Sequence, residues 1–313
     1  MALQDYLTTE VGEDWADGII SRREALRRLA LLGLSVGAAI ALLEACAPAG
    51  GLASPGLTEA ATGSAAPPAT ASAGASESSG ASGEASATPA EGEPITFPGP
   101  TTELQGFFAP AATPRGAMLV VHENRGLNDH TRSVAARLAG DGYSALAIDL
   151  LSEEGGSDAL AQGDVQAALS NASAERLVGD MKAGLDELER RLPGAKLGAI
   201  GFCFGGGMVW ALLDAGDERL AAAIPFYGPA PATPDFSGNR AAVLGVYAEQ
   251  DSRVNASLST AEEALTAAGL EHEIKVYPGV DHAFFNDTGQ RYNAEQAAAA
   301  YADVLDWLGR YLG

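Results

Sequence analysis

The sequence predicts an α/β domain over residues 94–313, with a mostly parallel sheet covered by helices on both faces. Two observations carry this. Short apolar runs alternate with segments of helical periodicity from Pro94 onward, the order that βαβ units require. The clearest runs are apolar throughout, as in Met118-Leu119-Val120-Val121, which marks strands buried on both sides. In chain order, 117–122 reads as a strand, 132–140 as a helix ending at a glycine, and 143–150 as a second strand. Segment 174–192 is amphipathic, with Leu177, Met181, Leu185 and Leu188 at helical spacing, and Pro193-Gly194 ends it. Strand 196–202, a helix to 214, strands 221–226 and 243–248, helix 259–268, strand 272–277 and helix 294–311 complete the domain. About 220 residues suffice for one such unit with a sizeable core. We find no internal repeat.

The first part of the chain has a different character. Ser21-Arg22-Arg23-Glu24-Ala25-Leu26-Arg27 resembles a twin-arginine export signal, and the apolar segment 29–43 that follows has the length of a signal core rather than of a membrane span. Leu43-Glu44-Ala45-Cys46 resembles a bacterial lipobox, so residues 1–46 are expected to be an export signal and Cys46 a lipidation site. Glu44 departs from the small or apolar residue usual there, which leaves simple cleavage near Ala45 or Ala47, or an uncleaved anchor, as alternatives. Residues 47–93 consist almost wholly of Ala, Gly, Ser, Thr, Pro and Glu, with Leu52 and Leu57 the only leucines. Such a segment cannot offset its ordering entropy and reads as a disordered tether. The expected location is extracytoplasmic, at the membrane only through the N-terminal anchor.

The formal charge is −22. An acidic domain of this kind is a poor partner for nucleic acid or anionic headgroups. Two cysteines, Cys46 and Cys203, could form one bridge; with Cys46 assigned to the anchor, none is expected. Four dispersed histidines and no paired cysteines give no metal signature.

The chemistry converges on Gly201-Phe202-Cys203-Phe204-Gly205-Gly206-Gly207, directly after an apolar run. This is the G-x-C-x-G form of the nucleophile elbow, in which a strand turns sharply into a helix with the nucleophile at the apex and small neighbours two residues either side. The helix N-terminus then aims backbone N–H groups at the reaction centre. Asp251 follows strand 243–248 and His282 follows strand 272–277, so nucleophile, acid and histidine stand at strand C-terminal ends in the order of the α/β-hydrolases. His282 would take the thiol proton and deliver it to the leaving alkoxide, and Asp251 would hold the imidazole tautomer. Asp281 and Glu249 are rival acids. His122 is expected to flank the site, and His130 and His272 to lie on the surface.

These pieces resemble the dienelactone hydrolase family, the carboxymethylenebutenolidases, over essentially all of residues 94–313. The resemblance rests on Gly201-Phe202-Cys203-Phe204-Gly205-Gly206, on Val121-His122-Glu123-Asn124-Arg125-Gly126-Leu127-Asn128, and on Tyr277-Pro278-Gly279 through His282-Ala283-Phe284-Phe285-Asn286. It implies an α/β-hydrolase fold and the Cys203–Asp251–His282 triad. It also implies a Glu123 that interacts with the resting thiol, and an oxyanion hole from the backbone N–H groups of Asn124 and Phe204. Asn286 departs from the pattern: dienelactone-specific members carry there an arginine for the substrate carboxylate, and a neutral amide cannot replace a guanidinium. Arg125 and Arg291 are the nearby cations. The expected protein is a monomeric, exported hydrolase of small esters or lactones that needs no cofactor. Two alternatives are a catalytically silent tethered binding protein using the same cleft and a redox-active thiol protein.

Overall fold

The structure, a computed structural model, describes residues 3–16, 19–46 and 91–313; nearly all of the expected tether lies outside the described residues. Eight strands form one sheet: β1 (Glu93–Pro98), β2 (Glu103–Ala109), β3 (Gly116–Val121), β4 (Tyr143–Asp149), β5 (Leu197–Phe202), β6 (Leu220–Phe226), β7 (Ala242–Ala248) and β8 (His272–Tyr277). Their order is β1-β2-β4-β3-β5-β6-β7-β8. The pairs β1–β2 and β2–β4 are antiparallel and all others parallel. The expected fold class is thus present, with an antiparallel hairpin added at one edge. Neither hairpin strand is expected from sequence, because Pro94 and Pro98 interrupt the first and its burial is intermittent.

Strands β3, β4, β5 and β7 are buried at every position, as their unbroken apolar runs require. Covering them are α4 (Asp129–Gly140), α6 (Ala174–Arg191), α7 (Phe204–Asp214), α9 (Leu258–Ala268) and α10 (Ala294–Tyr311), with α5 (Gln162–Asn171) and the single turn α8 (Ser252–Asn255) in the connections. Helices α6 and α7 pack side by side. Helices α4 and α10 form a second pair, tied by the Arg137 guanidinium 4.2 Å over the Tyr301 ring and by the Tyr301 hydroxyl donating to Asp141 at 2.7 Å. Asn128 caps α4 by accepting from the Thr131 N–H, and Ser173 caps α6 in the same way.

Residues 3–45 form three helices, α1 (Leu3–Ala16), α2 (Arg22–Leu31) and α3 (Val36–Ala45). The apolar segment read as a signal core is therefore divided between α2 and α3. No helix among the described residues is long and apolar enough to cross a membrane. Tyr6, Leu7, Val11, Leu29 and Leu43 join the same core as the sheet. Arg27 pairs with Asp164 at 2.8 Å and Arg28 with Gln166 at 3.4 Å, fastening α2 to α5. Arg22 and Arg23 are exposed, on the first turn of α2.

The bend after β5 is a packing constraint as much as a conformational one. A Cβ on Gly205 would lie 2.4 Å from the Val121 carbonyl oxygen and 2.6 Å from that of His122; on Gly201 it would lie 2.2 Å from the Gly205 oxygen. These obstacles are backbone atoms and cannot swing aside. Gly205→Ala is therefore expected to lower stability by about 1–3 kcal/mol, the usual penalty of overpacking, read as a fall in the urea midpoint with an unchanged slope.

Candidate active site

Cys203 sits at the apex of the bend with φ 57° and ψ −117°. A non-glycine residue reaches this strained region only where the surroundings over-determine it. Here the Cys203 N–H is bonded to the Phe226 carbonyl at 3.1 Å and its carbonyl accepts from Gly207 at 3.1 Å. Phe204 is the first residue of α7, so its N–H has no carbonyl one turn back and faces outward from the helix start.

His282 and Asp251 arrive from the loops after β8 and β7. The Asp251 carboxylate does two things at once. Its Oδ1 accepts from the Val254 N–H at 3.1 Å, capping α8, and its Oδ2 meets His282 Nδ1 at 2.5 Å. The rival acids are engaged elsewhere: Asp281 accepts from the His282 backbone N–H at 2.7 Å, and Glu249 from the Gly279 N–H at 2.8 Å. With Nδ1 committed to Asp251, the far nitrogen Nε2 has no hydrogen-bond partner among the described residues, and a ring nitrogen lies within 4.8 Å of the Cys203 sulfur. The Tyr227 ring packs against the imidazole at 5.0 Å between centroids.

Glu123 lines the same cleft as Cys203, and two other side chains hold its carboxylate. Its Oε2 accepts from Asn286 Nδ2 at 2.7 Å and its Oε1 from the Tyr227 hydroxyl at 3.5 Å. The amide at position 286, where the family pattern has a guanidinium, supplies the donor that holds it. The thiol's own contacts run to α1: the Tyr6 hydroxyl is 3.1 Å from Sγ and Glu10 Oε2 is 3.8 Å from it. Asn124 is buried and lines the cleft together with Glu123, Asn286, Arg125 and Arg291.

His122 does flank the site, fully buried, with Nδ1 at 2.6 Å from the Glu123 carbonyl, Nε2 at 3.2 Å from the Leu150 N–H and its ring stacked on Phe204. Burial depresses its affinity for a proton. His130 is not a surface residue as expected. It is buried between Phe202 and Phe285 and bonded to Asp287 at 2.8 Å, a partner far away in sequence.

Three side chains at the site escape a reading of the sequence: Tyr6 and Glu10 of α1, and Arg253. Arg253 bonds Glu13 at 2.9 Å and also Glu10. Its position two residues beyond Asp251 is the signal that could have drawn attention to it, and the i,i+4 spacing of Tyr6 and Glu10 on one helix face is theirs. Cys46 is a free cysteine at the end of α3, partly exposed.

The electrostatics follow from this packing. Burial alone would lower the His282 value, but the Glu10 and Asp251 carboxylates and the Cys203 sulfur outweigh it and hold it well above the ordinary 6.5. Burial alone would raise Asp251, but the His282 charge and hydrogen bond outweigh it and keep it below 3.8. Burial and the Glu10 carboxylate push the Cys203 thiol up, against a lowering by His282. A histidine with a raised value contributes stability that is complete below its unfolded value and fades as pH climbs through the folded one; a depressed aspartate contributes above its unfolded value and loses it in acid. The Asp251–His282 pair therefore stabilises most between the unfolded values of 3.8 and 6.5. His282→Gln is expected to lower the urea midpoint more at about pH 5.5 than at about pH 9. An equal loss at both would contradict this.

Against known proteins, the profile of the dienelactone hydrolase family matches residues 105–312. A relative from Salmonella typhi, provisionally named a carboxymethylenebutenolidase, is 30% identical over 237 residues, covering 70% of this chain and 87% of its own. One from Saccharolobus solfataricus with the same provisional name is 28% identical over 246 residues, covering 66% and 94%. Among solved structures, a provisionally named dienelactone hydrolase of Klebsiella pneumoniae superposes with a TM-score of 0.63 at 26% identity, covering 71% of this chain and 99% of its own. Profile, sheet and elbow agree: this chain belongs to the dienelactone hydrolase family, a family of hydrolases.

Proposed function

We propose that this protein hydrolyses small carboxylic esters or lactones through a Cys203–His282–Asp251 triad, acting as a monomer. The observation that carries the reading is the 2.5 Å contact between His282 Nδ1 and Asp251 Oδ2, which turns the other ring nitrogen toward a thiol held at a strained apex. Binding alone needs no such arrangement.

The reaction follows from the roles. His282 Nε2 takes the thiol proton, and the Cys203 thiolate attacks the substrate carbonyl carbon. The Asn124 and Phe204 backbone N–H groups hold the oxyanion that develops. As the tetrahedral intermediate collapses, the carbon–oxygen bond of the ester breaks and His282 returns its proton to the leaving alkoxide, leaving a thioester. In a lactone the alkoxide stays attached to the acyl group. A water then gives a proton to His282 and attacks the thioester, and the acid departs as the thiol is restored. Asp251 keeps the ring oriented and stabilises the imidazolium throughout. Glu123, held by Asn286 and Tyr227, lies beside the thiol as a second carboxylate that favours its neutral form at rest.

With p-nitrophenyl acetate, Cys203→Ala is expected to remove turnover to the uncatalysed background, and Asp251→Asn to lower kcat by roughly 10³–10⁴ through the wrong imidazole tautomer. Turnover unchanged in Cys203→Ala would overturn the mechanism.

We further propose that residues 1–46 direct export by the twin-arginine route and that Cys46 is acylated at the membrane. The exposure of Arg22 and Arg23 on a folded chain supports this, since that route carries folded cargo. Radiolabelled palmitate is expected to mark the parent protein and not Cys46→Ala; label in neither, with equal membrane association, would refute lipidation.

A further inference from the structure

We propose that α1 is a built-in plug of the catalytic cleft, so that the chain is latent while residues 3–16 remain seated. The inference rests on the hydrolase reading above and goes beyond it.

Nucleophilic attack needs the substrate carbonyl carbon about 3–3.5 Å from the sulfur, along an open path. That ground is taken. The Tyr6 hydroxyl stands 3.1 Å from Cys203 Sγ, while the Glu10 carboxylate bridges the two catalytic groups, 3.8 Å from Sγ and 3.5 Å from His282 Nε2. Cys203 and His282 retain only 3% and 2% of their surface. The cavity left beside them measures about 140 Å³, well short of the roughly 300–1,000 Å³ of small-molecule sites.

The helix is held there by specific bonds. Arg253 binds Glu10 and Glu13 and lays its guanidinium 4.7 Å over the Tyr6 ring. This is the compensation a buried carboxylate requires. On the same helix Leu7 and Val11 are wholly buried. The plug also stands in front of the base. Glu10 Oε1 lies 3.5 Å from His282 Nε2, the nitrogen that must take the thiol proton. Tyr6 and Glu10 thus occupy the ground in front of both the sulfur and the ring. Cleavage near Cys46, the expected end of the export signal, would cut α1 from the domain.

The test uses the full chain with Cys46→Ser, so that iodoacetamide reports Cys203 alone. The double variant Tyr6→Ala/Glu10→Ala is expected to be alkylated at least about tenfold faster than the parent, because reactivity scales with the open fraction, and to turn over p-nitrophenyl acetate correspondingly faster. A synthetic peptide of residues 3–16 added to the double variant should restore protection, whereas the same peptide carrying Glu10→Ala should not. The peptide arm, with the urea midpoint of the variant, separates release of a plug from general loosening: faster alkylation that no peptide reverses counts against the proposal. Equal alkylation of parent and variant overturns it, even if both turn over ester. Accelerated, peptide-reversible alkylation without turnover in any form would leave the plug standing and fail the hydrolase reading instead.

Discussion

The site depends on one backbone constraint, the bend that lifts Cys203 out of the end of β5. Gly201, Gly205 and Gly206 let strand, helix and the neighbouring chain segments approach within the reach of a single methyl group. That closeness holds Cys203 in a conformation it would not adopt alone. A packed central sheet supplies the rigidity. β5 lies between β3 and β6, buried along its whole length, so the apex cannot relax without opening the middle of the core.

Once the apex is fixed, the rest is a matter of loops aimed by parallel strands. The segments after β7 and β8 leave the sheet on the same side as the elbow, as parallel pairing demands. Asp251 meets His282 there because one carboxylate both ends a loop, by capping α8, and orients a ring. A residue that looks like a simple helix cap is therefore also part of the catalytic apparatus we propose.

The central strands and the longer helices were legible in the sequence because their apolar runs and amphipathic stripes answer to burial alone. The bounds of β8 and α10 coincide with the pattern. The β1–β2 hairpin and α5 were not, since prolines and weak periodicity conceal them. Cys203, Asp251 and His282 could be read because each stands on the segment that leaves the C-terminal end of a strand, which makes their meeting a consequence of topology. Glu123 entered only by resemblance, and its bond to Asn286 depends on a loop whose path no local pattern encodes. His130 is buried against Phe202 and Phe285 and bonded to Asp287, 157 positions away, partners that no local pattern brings together. Tyr6 and Glu10 were hidden for another reason: composition near the N-terminus speaks of targeting, and nothing in it says that the helix packs against a thiol.

The three N-terminal helices share their apolar side chains with the domain rather than forming a core of their own. Were they to depart, the apolar surface that Leu7, Val11, Leu29 and Leu43 now cover would meet water. A protein trimmed in this way would trade part of its hydrophobic burial for a more open cleft.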